Sequence, residues 1–414
     1  MSFESGLSGL NASAKNIDII GNNVANASTV GFKSSRAIFA DVYASALSGA
    51  GSSNIGIGTA IASVQQQFTQ GNITVTNNPL DLAVNGRGFL RLDNNGSVAY
   101  SRNGQLHLDS NGYIVNADSL KLTGYPVDVN NKIVQSAPVP IRLSTSDISP
   151  SATSKIAATL NLDSRSTPIA AAFDPMTAST YTSSTSTAVY DSLGNPHALT
   201  FYFVKAAAAG AWDVHATVDG GPVADVDLGA GAGNPVTLSF NSSGVLTPPP
   251  AMPLAGVGLT LTNGAVSPLL TDIDFTGTTQ FGSEFAVSSL SQNGFTSGRL
   301  MGVDVSEDGT ILGRYSNGQA NTLGQIVLAN FANQEGLRPM GNNLWAETSD
   351  SGVPVIGTPR TGSFGSIKSA AVEDSNVDLT QELVNMITAQ RIYQANAQTI
   401  KTQDQTLQTI VNLR

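Results

Sequence analysis

The sequence predicts a mainly β, multidomain fold of barrel- or sandwich-like β-rich domains. An α-helix at each terminus is expected to pair with the other as a coiled-coil-like terminal domain. Three observations predict it. At both ends, apolar or small residues recur at alternating steps of four and three, whose mean of 3.5 marks a seam that packs against other helices. Between the ends the period drops to two, punctuated by Asn-Gly and Asp-Gly pairs. The composition, with 41 Gly and 18 Pro in 414 residues, 12% charged and 6% aromatic, suits short strands and many turns better than a doubly wound α/β fold.

The first element carries Phe3, Leu7, Leu10, Ala14, Ile17, Gly21 and Val24 on its seam and predicts a helix over residues 1–33 that breaks at Gly31. Gly6, Gly9 and Gly21 each lower its intrinsic helicity by roughly 1 kcal/mol relative to Ala, so it needs neighbours. Residues 34–70 read as a connector, with the Gly/Ser stretch LSGAGSSNIGIG as its flexible part. From residue 71 the pattern alternates, with Leu80, Leu82 and Val84 on one face. Asn-Gly then recurs at 85–86, 95–96, 103–104 and 111–112. Because both central residues of a type I′ turn need positive φ, these pairs predict short antiparallel strands running to about Val127.

A Ser/Thr-rich boundary, LSTSDISPSATS, opens a separate region at 145–285, read as an inserted β-sandwich or barrel. Its clearest strands are TSSTSTAVYD, HALTFYFVK and AWDVHATVD, with turns at Leu193-Gly194-Asn195-Pro196 and Asp219-Gly220. Strands resume in LMGVDVSEDGTILGRYSNG and LGQIVLANF, so residues 71–144 and 286–357 are expected to form one discontinuous β-rich domain. A second connector spans 358–371, and residues 1–33 and 372–414 form the terminal helical domain. Its last helix starts at Asp378, with Gln381 three residues on as in a capping box. The seam there is Leu379, Leu383, Met386, Tyr393, Ala397, Ile400, Leu407 and Val411. Burying that stripe cannot alone offset the cost of ordering so long a helix. Both ends are therefore expected to be disordered in a lone chain and to become helical on association.

A formal charge of −10 gives no generic attraction for phosphate backbones, so nucleic acid is not an expected partner. The absence of cysteine excludes disulfides, thiolate metal sites and thiol nucleophiles. The start, MSFESGLSGLNASAKN, has an early acid and no apolar core of the Sec type. No apolar run approaches the ~20 residues that cross a bilayer, so membrane insertion is not expected. Asp304, Ser306, Asp308 and Gly309 mimic the start of a calcium loop, but the twelfth position is Tyr315, not a bidentate Glu; a turn at Asp308-Gly309 is the better reading. His107, His197 and His215 are scattered, with no shared acidic cluster, and read as ordinary strand positions. Trp212 and Trp345 read as core anchors. No catalytic, cofactor or metal site is expected.

Four segments carry a resemblance. ANASTVGFK, with Ala25, Asn26, Thr29, Gly31, Phe32 and Lys33, resembles the signature near the N-terminus of the flagellar rod and hook axial protein family. The final segment from SNVDLTQELVNMITAQ onward resembles that family's C-terminal helix. FTQGNITVTNNPLDLAVNGRGFLRL with YSRNGQLHLDSNGYIVNADSLKLTGYPV, and LGQIVLANFANQEGLRPMGNNLWAET, resemble its two β blocks. They cover well over half of the chain, in the family's order.

The large insertion is similar to that of the hook-type members, the distal rod members being much shorter. The resemblance implies a homopolymer: a curved, flexible extracellular tube of the bacterial flagellum that joins rod to filament and transmits motor torque for motility. It also implies Sec-independent export through the flagellar type III apparatus, and contacts with the distal rod protein, the hook cap and the hook–filament junction protein. The terminal seams would then be the polymerisation interface. Gln390 and Asp404, which interrupt the C-terminal seam, would fix register or face a channel. The amide- and hydroxyl-rich face with Gln381, Thr388, Gln398, Thr402, Gln405 and Thr409 would line that channel. Two alternatives stand beside this reading: a distal rod-type axial protein, and a secreted β-rich adhesin.

Overall fold

The computed structural model describes residues 2–43, 56–128, 131–144, 146–248 and 250–412. Most of the Gly/Ser stretch in the first predicted connector lies outside them. Two helices, α1 (Ser2–Ala25) and α2 (Leu379–Asn412), flank an interior made of strands. The chain divides into two compact units.

The first unit comprises Met1–Thr145, Gly302–Arg314 and Ala320–Arg414. Where a connector was expected, β1 (Ser35–Tyr43) and β2 (Gly56–Gln66) pair as a long antiparallel ribbon, from Ser35↔Gln66 to Tyr43↔Gly56. Ile38, Phe39, Val42, Ile61 and Val64 supply the β-branched and aromatic residues that such a ribbon favours. Gly58, at φ +135°, lets the ribbon lie on α1: a Cβ there would sit 1.9 Å from Ser8 Oγ.

After the short strands β3 (Ile73–Val75) and β4 (Leu82–Asn85) comes the hairpin of β5 (Phe89–Asn94) and β6 (Ser97–Ser101). Asn95 (φ 49°) and Gly96 (φ 99°) close it as predicted for an Asn-Gly pair. Late strands flank early ones. Leu344–Ala346 pairs with β6, and Leu328–Asn330 with β5; Ala320–Ile326 pairs with Lys121–Tyr125, which itself lies beside β5. The two sequence-distant stretches thus share one core, in which Leu82, Leu90, Leu122, Ile311, Ile326 and Ile367 are buried. A second cluster packs Phe89, Tyr100, Phe331 and Trp345 edge-to-face, with ring centroids 4.8–5.9 Å apart.

The second unit is Ser146–Met301 with Tyr315–Gln319. A five-stranded antiparallel sheet and a six-stranded mixed sheet bury one face each around Trp212, Phe201, Phe203, Leu160, Val257 and Phe275. Alternation produces this: over 196–203 the residues His197, Leu199, Phe201 and Phe203 are buried, while Pro196, Ala198, Thr200 and Tyr202 are not. The arrangement is a β-sandwich.

One expectation is corrected here. His197 does have an acidic setting: its Nδ1 lies 2.6 Å from Asp219 and its Nε2 3.3 Å from Asp191. Strand pairing brings two turns together at this point, which no linear spacing reveals. The carboxylates face opposite ring nitrogens, so they share no vertex for a metal, and no metal-holding cluster occurs among the described residues. Asp308-Gly309 forms the expected turn, with Gly309 donating to Ser306 O and Asp304 paired with Arg314.

Candidate assembly site

The two helices pack on each other through small residues. A Cβ at Gly6 would lie 3.2 Å from Ile400 Cγ1, and one at Gly9 2.8 Å from the Asn396 amide. Ser13 folds its hydroxyl back onto Gly9 O at 2.7 Å. Gly6, Ala12, Ser13, Ile20 and Asn23 are the buried positions of α1, and Ala389 that of α2. Positions 6, 9, 13, 20 and 23 follow a heptad of their own, one residue N-terminal to most of the apolar seam. Its members are Gly, Ser, Ile and Asn, so hydrophobic periodicity does not find it. The signal that could have done so is the Gly6/Gly9/Ser13 run at one helical face.

None of the described apolar seam residues is fully buried: six are exposed and seven half-buried. Phe3 and Leu7 on α1 are 45% and 44% exposed. On α2, Leu379, Leu383, Tyr393 and Leu407 are exposed in the same range. Leu10, Ala14, Ile17, Val24, Met386, Ala397 and Ile400 are half-buried, and of these Ile400 turns toward Gly6. Val411 belongs to α2, but its side chain lies outside the described residues. Val384, Ile387 and Ile392 are exposed as well, so α2 presents apolar side chains on several faces. A groove of about 580 Å³ runs between α1, β1 and α2, lined by Ile20, Ala37, Phe39, Ala389 and Ile392 among others. At the start of α2 the Asp378 carboxylate accepts from Gln381 N at 3.1 Å, an N-cap bond. Gln381 itself reaches forward to Asn385, so the box is not closed from its side.

The segment ANASTVGFK joins α1 to the body. Ala25 ends the helix, Asn26 bonds back to Asn22, and Thr29 Oγ1 donates to Asn26 Oδ1 at 3.2 Å. Gly31, at φ +71°, passes over Asn103 so closely that a Cβ would meet its backbone N at 2.6 Å. The Gly31 N–H donates to Glu373 O at 2.7 Å. Phe32 is half-buried, and Lys33 is fully buried. Lys33 Nζ contacts Glu373 Oε1 at 2.6 Å and Thr69 O at 2.7 Å. Arg102 Nη1 reaches Glu373 Oε2 at 3.1 Å.

Burial pushes the Lys33 ammonium below its ordinary range, against the opposing pull of Glu373. Arg102 is lowered for the same reason and held by the same carboxylate. Removing the shared carboxylate from such a buried set costs about 3–5 kcal/mol, because it strands the two cations that remain. Sequence reading took Phe32 and Lys33 only as the end of a bend; nothing local to Lys33 announces a partner that stands in the C-terminal segment.

Taken together, α1 and α2 pair through small residues, keep apolar side chains outward and leave a discontinuous β body at neighbouring points. That arrangement is a β-rich chain whose paired terminal helices leave large apolar side chains uncovered. Comparison with known proteins gives the family. Residues 3–33 match the family described as flagella basal body rod protein, and 83–155 the flagellar hook protein FlgE/F/G D1 domain. Residues 161–295 match the flagellar basal body protein FlaE D2 domain, and 368–413 the flagellar basal body rod FlgEFG protein C-terminal family. Flagellar hook protein FlgE of Salmonella typhimurium is 43% identical over 423 residues, with all of both chains covered. That of Escherichia coli is likewise 43% identical over full length, and that of Rhizobium meliloti 33%, covering all of this chain and 98% of its own. A solved Helicobacter pylori flagellar hook protein, FlgE2, overlaps 71% of this chain and 99% of its own, with TM-score 0.47 and 13% identity. The chain belongs to the flagellar hook protein family.

Proposed function

We propose that the outward apolar rows of α1 and α2 are the polymerisation interface of a flagellar hook subunit, and that copies stack through them into a curved, flexible tube. The observation that carries this reading is the exposure of Phe3, Leu7, Leu379, Leu383, Tyr393 and Leu407 on helices whose small residues are already used within the chain. Large apolar side chains left exposed along two paired helices point to an interaction surface. The tube is a structural part, not a catalyst: it joins rod to filament and passes motor torque while bending. In this reading the helical ends, with the ribbon that packs on α1, build the inner wall of the tube. The Gln- and Thr-rich face of α2, with Thr388, Gln398, Thr402, Gln405 and Thr409 all exposed, lines the channel. Extracellular placement, export through the flagellar type III apparatus, and contacts with the distal rod protein, hook cap and hook–filament junction protein belong to the same reading. Hook proteins similar over the full length of the chain favour this reading over the rod-type and adhesin alternatives.

Truncation tests it. A chain lacking residues 1–33 and 372–414 should stay folded by circular dichroism yet fail to sediment as polymer. Native tubes grown from the truncated chain would overturn the reading.

A further inference from the structure

Three separate stretches of chain meet at the Glu373 carboxylate, and a fourth is tied in through one of them. Lys33 comes from the N-terminal arm, and Gly71 from the segment after the ribbon, its N–H 3.0 Å from Glu373 Oε1. Arg102 comes from the body and ties in one more stretch through Gly86 O at 2.8 Å and Val84 O at 3.3 Å. Its guanidinium also lies 5.2 Å over the Phe89 ring, which joins the cluster to the aromatic core. Glu373 acts twice, since its main-chain O takes the Gly31 N–H while its side chain takes Lys33. It stands at the end of strand Ala371–Glu373, registered opposite Ile73 of β3. Three residues on, Asn376 continues the clamp, accepting from Ser34 N and donating to Gln67 O. The two cations and the acid are all essentially sealed from water.

We propose that Glu373 is the positioning residue that locks the N-terminal arm onto the β body, so that the arm seats only when the C-terminal segment is already in place. The reasoning is one of charge and order. Lys33 and Arg102 lie within the first quarter of the chain, and no other acid contacts either of them among the described residues. Without Glu373 they would be two like charges buried side by side, which low-dielectric surroundings strongly disfavour. The formal sum of the trio is +1; removing the carboxylate makes it +2. A chain that emerges N-terminus first therefore carries an unseated arm until its last tenth arrives. The inference rests on the polymer reading only for its use, which is to let α1 and α2 leave the body as one coupled stalk.

The test uses the full chain and hydrogen exchange read by mass spectrometry, with sedimentation run in parallel. In E373Q, exchange in peptides covering 30–37 should rise by about tenfold or more, while peptides covering 118–125 in the body change by less than about threefold. K33M/E373Q brings the formal sum back to +1 and should return the arm to within about threefold of wild type. K33M alone leaves the Arg102–Glu373 pair neutral and should keep the arm protected. Three results would overturn the proposal: an arm as protected in E373Q as in wild type, an arm already unprotected in wild type, or a loss in E373Q that K33M does not reverse. Should E373Q fail to fold, the double variant and K33M still decide between a charge lock and generic packing. A wild-type chain that never sediments counts against the polymer reading alone.

Discussion

Gly31 shows how a single residue sets the path of the chain. Its positive φ and its approach to Asn103 were both needed to bring Lys33 into the body. The bend itself was legible, because glycine after a helix usually marks one. Gly31→Ala should cost at least about 1–2 kcal/mol, the left-handed penalty alone, in denaturant unfolding of the full chain. A smaller change would mean that the segment relaxes around the methyl group.

Gly104 was read differently from what it does. Neither it nor Asn103 has positive φ; the position is glycine because a Cβ would lie 1.7 Å from Leu82 O. Dipeptide chemistry alone does not separate a turn glycine from one that admits a neighbouring backbone.

His197 is the other residue whose role was hidden. Burial lowers its pKa, but bonds to Asp219 and Asp191 outweigh it, so the net direction is upward from the ordinary value near 6.5. A raised folded-state pKa means that the contribution is fully present below the unfolded value and fades as pH climbs through the folded one. His197→Gln should therefore lower the melting temperature of the sandwich more at about pH 5.5 than at about pH 9. Equal losses at both would show that the imidazolium charge plays no part.

Among elements, α1 departs most instructively from its pattern. Its apolar heptad was plain in the sequence, but the inward face within the chain is a second heptad of small and polar residues. Hydrophobicity ranks Gly, Ser and Asn last, whereas close helix approach ranks them first, and the two criteria pick adjacent rows. Gly9→Leu should break the α1–α2 contact, since even a methyl group would strike Asn396. Fluorescence transfer between labels near positions 11 and 394 would report the separation; unchanged transfer would mean that α2 simply shifts aside. The ribbon β1–β2 was hidden for another reason. Its strands are long and β-rich, but the Gly/Ser stretch between them in sequence reads as a loose linker, and pairing between segments that far apart in sequence leaves no local mark.

At the scale of the whole molecule, residues from both sides of the inserted region, Leu90 and Leu122 before it and Ile311 and Ile326 after it, lie in one buried core. The pairing order inside that sheet was not readable, because many of its strands are only two to six residues long and their partners lie far away in sequence. The inserted sandwich, with its own core around Trp212 and Phe275, is expected to fold without help from the helices. Removing residues 145–285 with a short Gly/Ser bridge should therefore change the stiffness or curvature of the tube, read by electron microscopy, more than its capacity to assemble. Complete loss of assembly would assign the sandwich a role in nucleation.

Arm and tail cross from helix to body at the same level, Gly31 to Lys33 beside Glu373 to Asn376. A pull along the helical pair is thus divided between two backbones, as in a doubled cord. Neither strand of the cord can lengthen without dragging the other, so the two ends share whatever load reaches the helical pair.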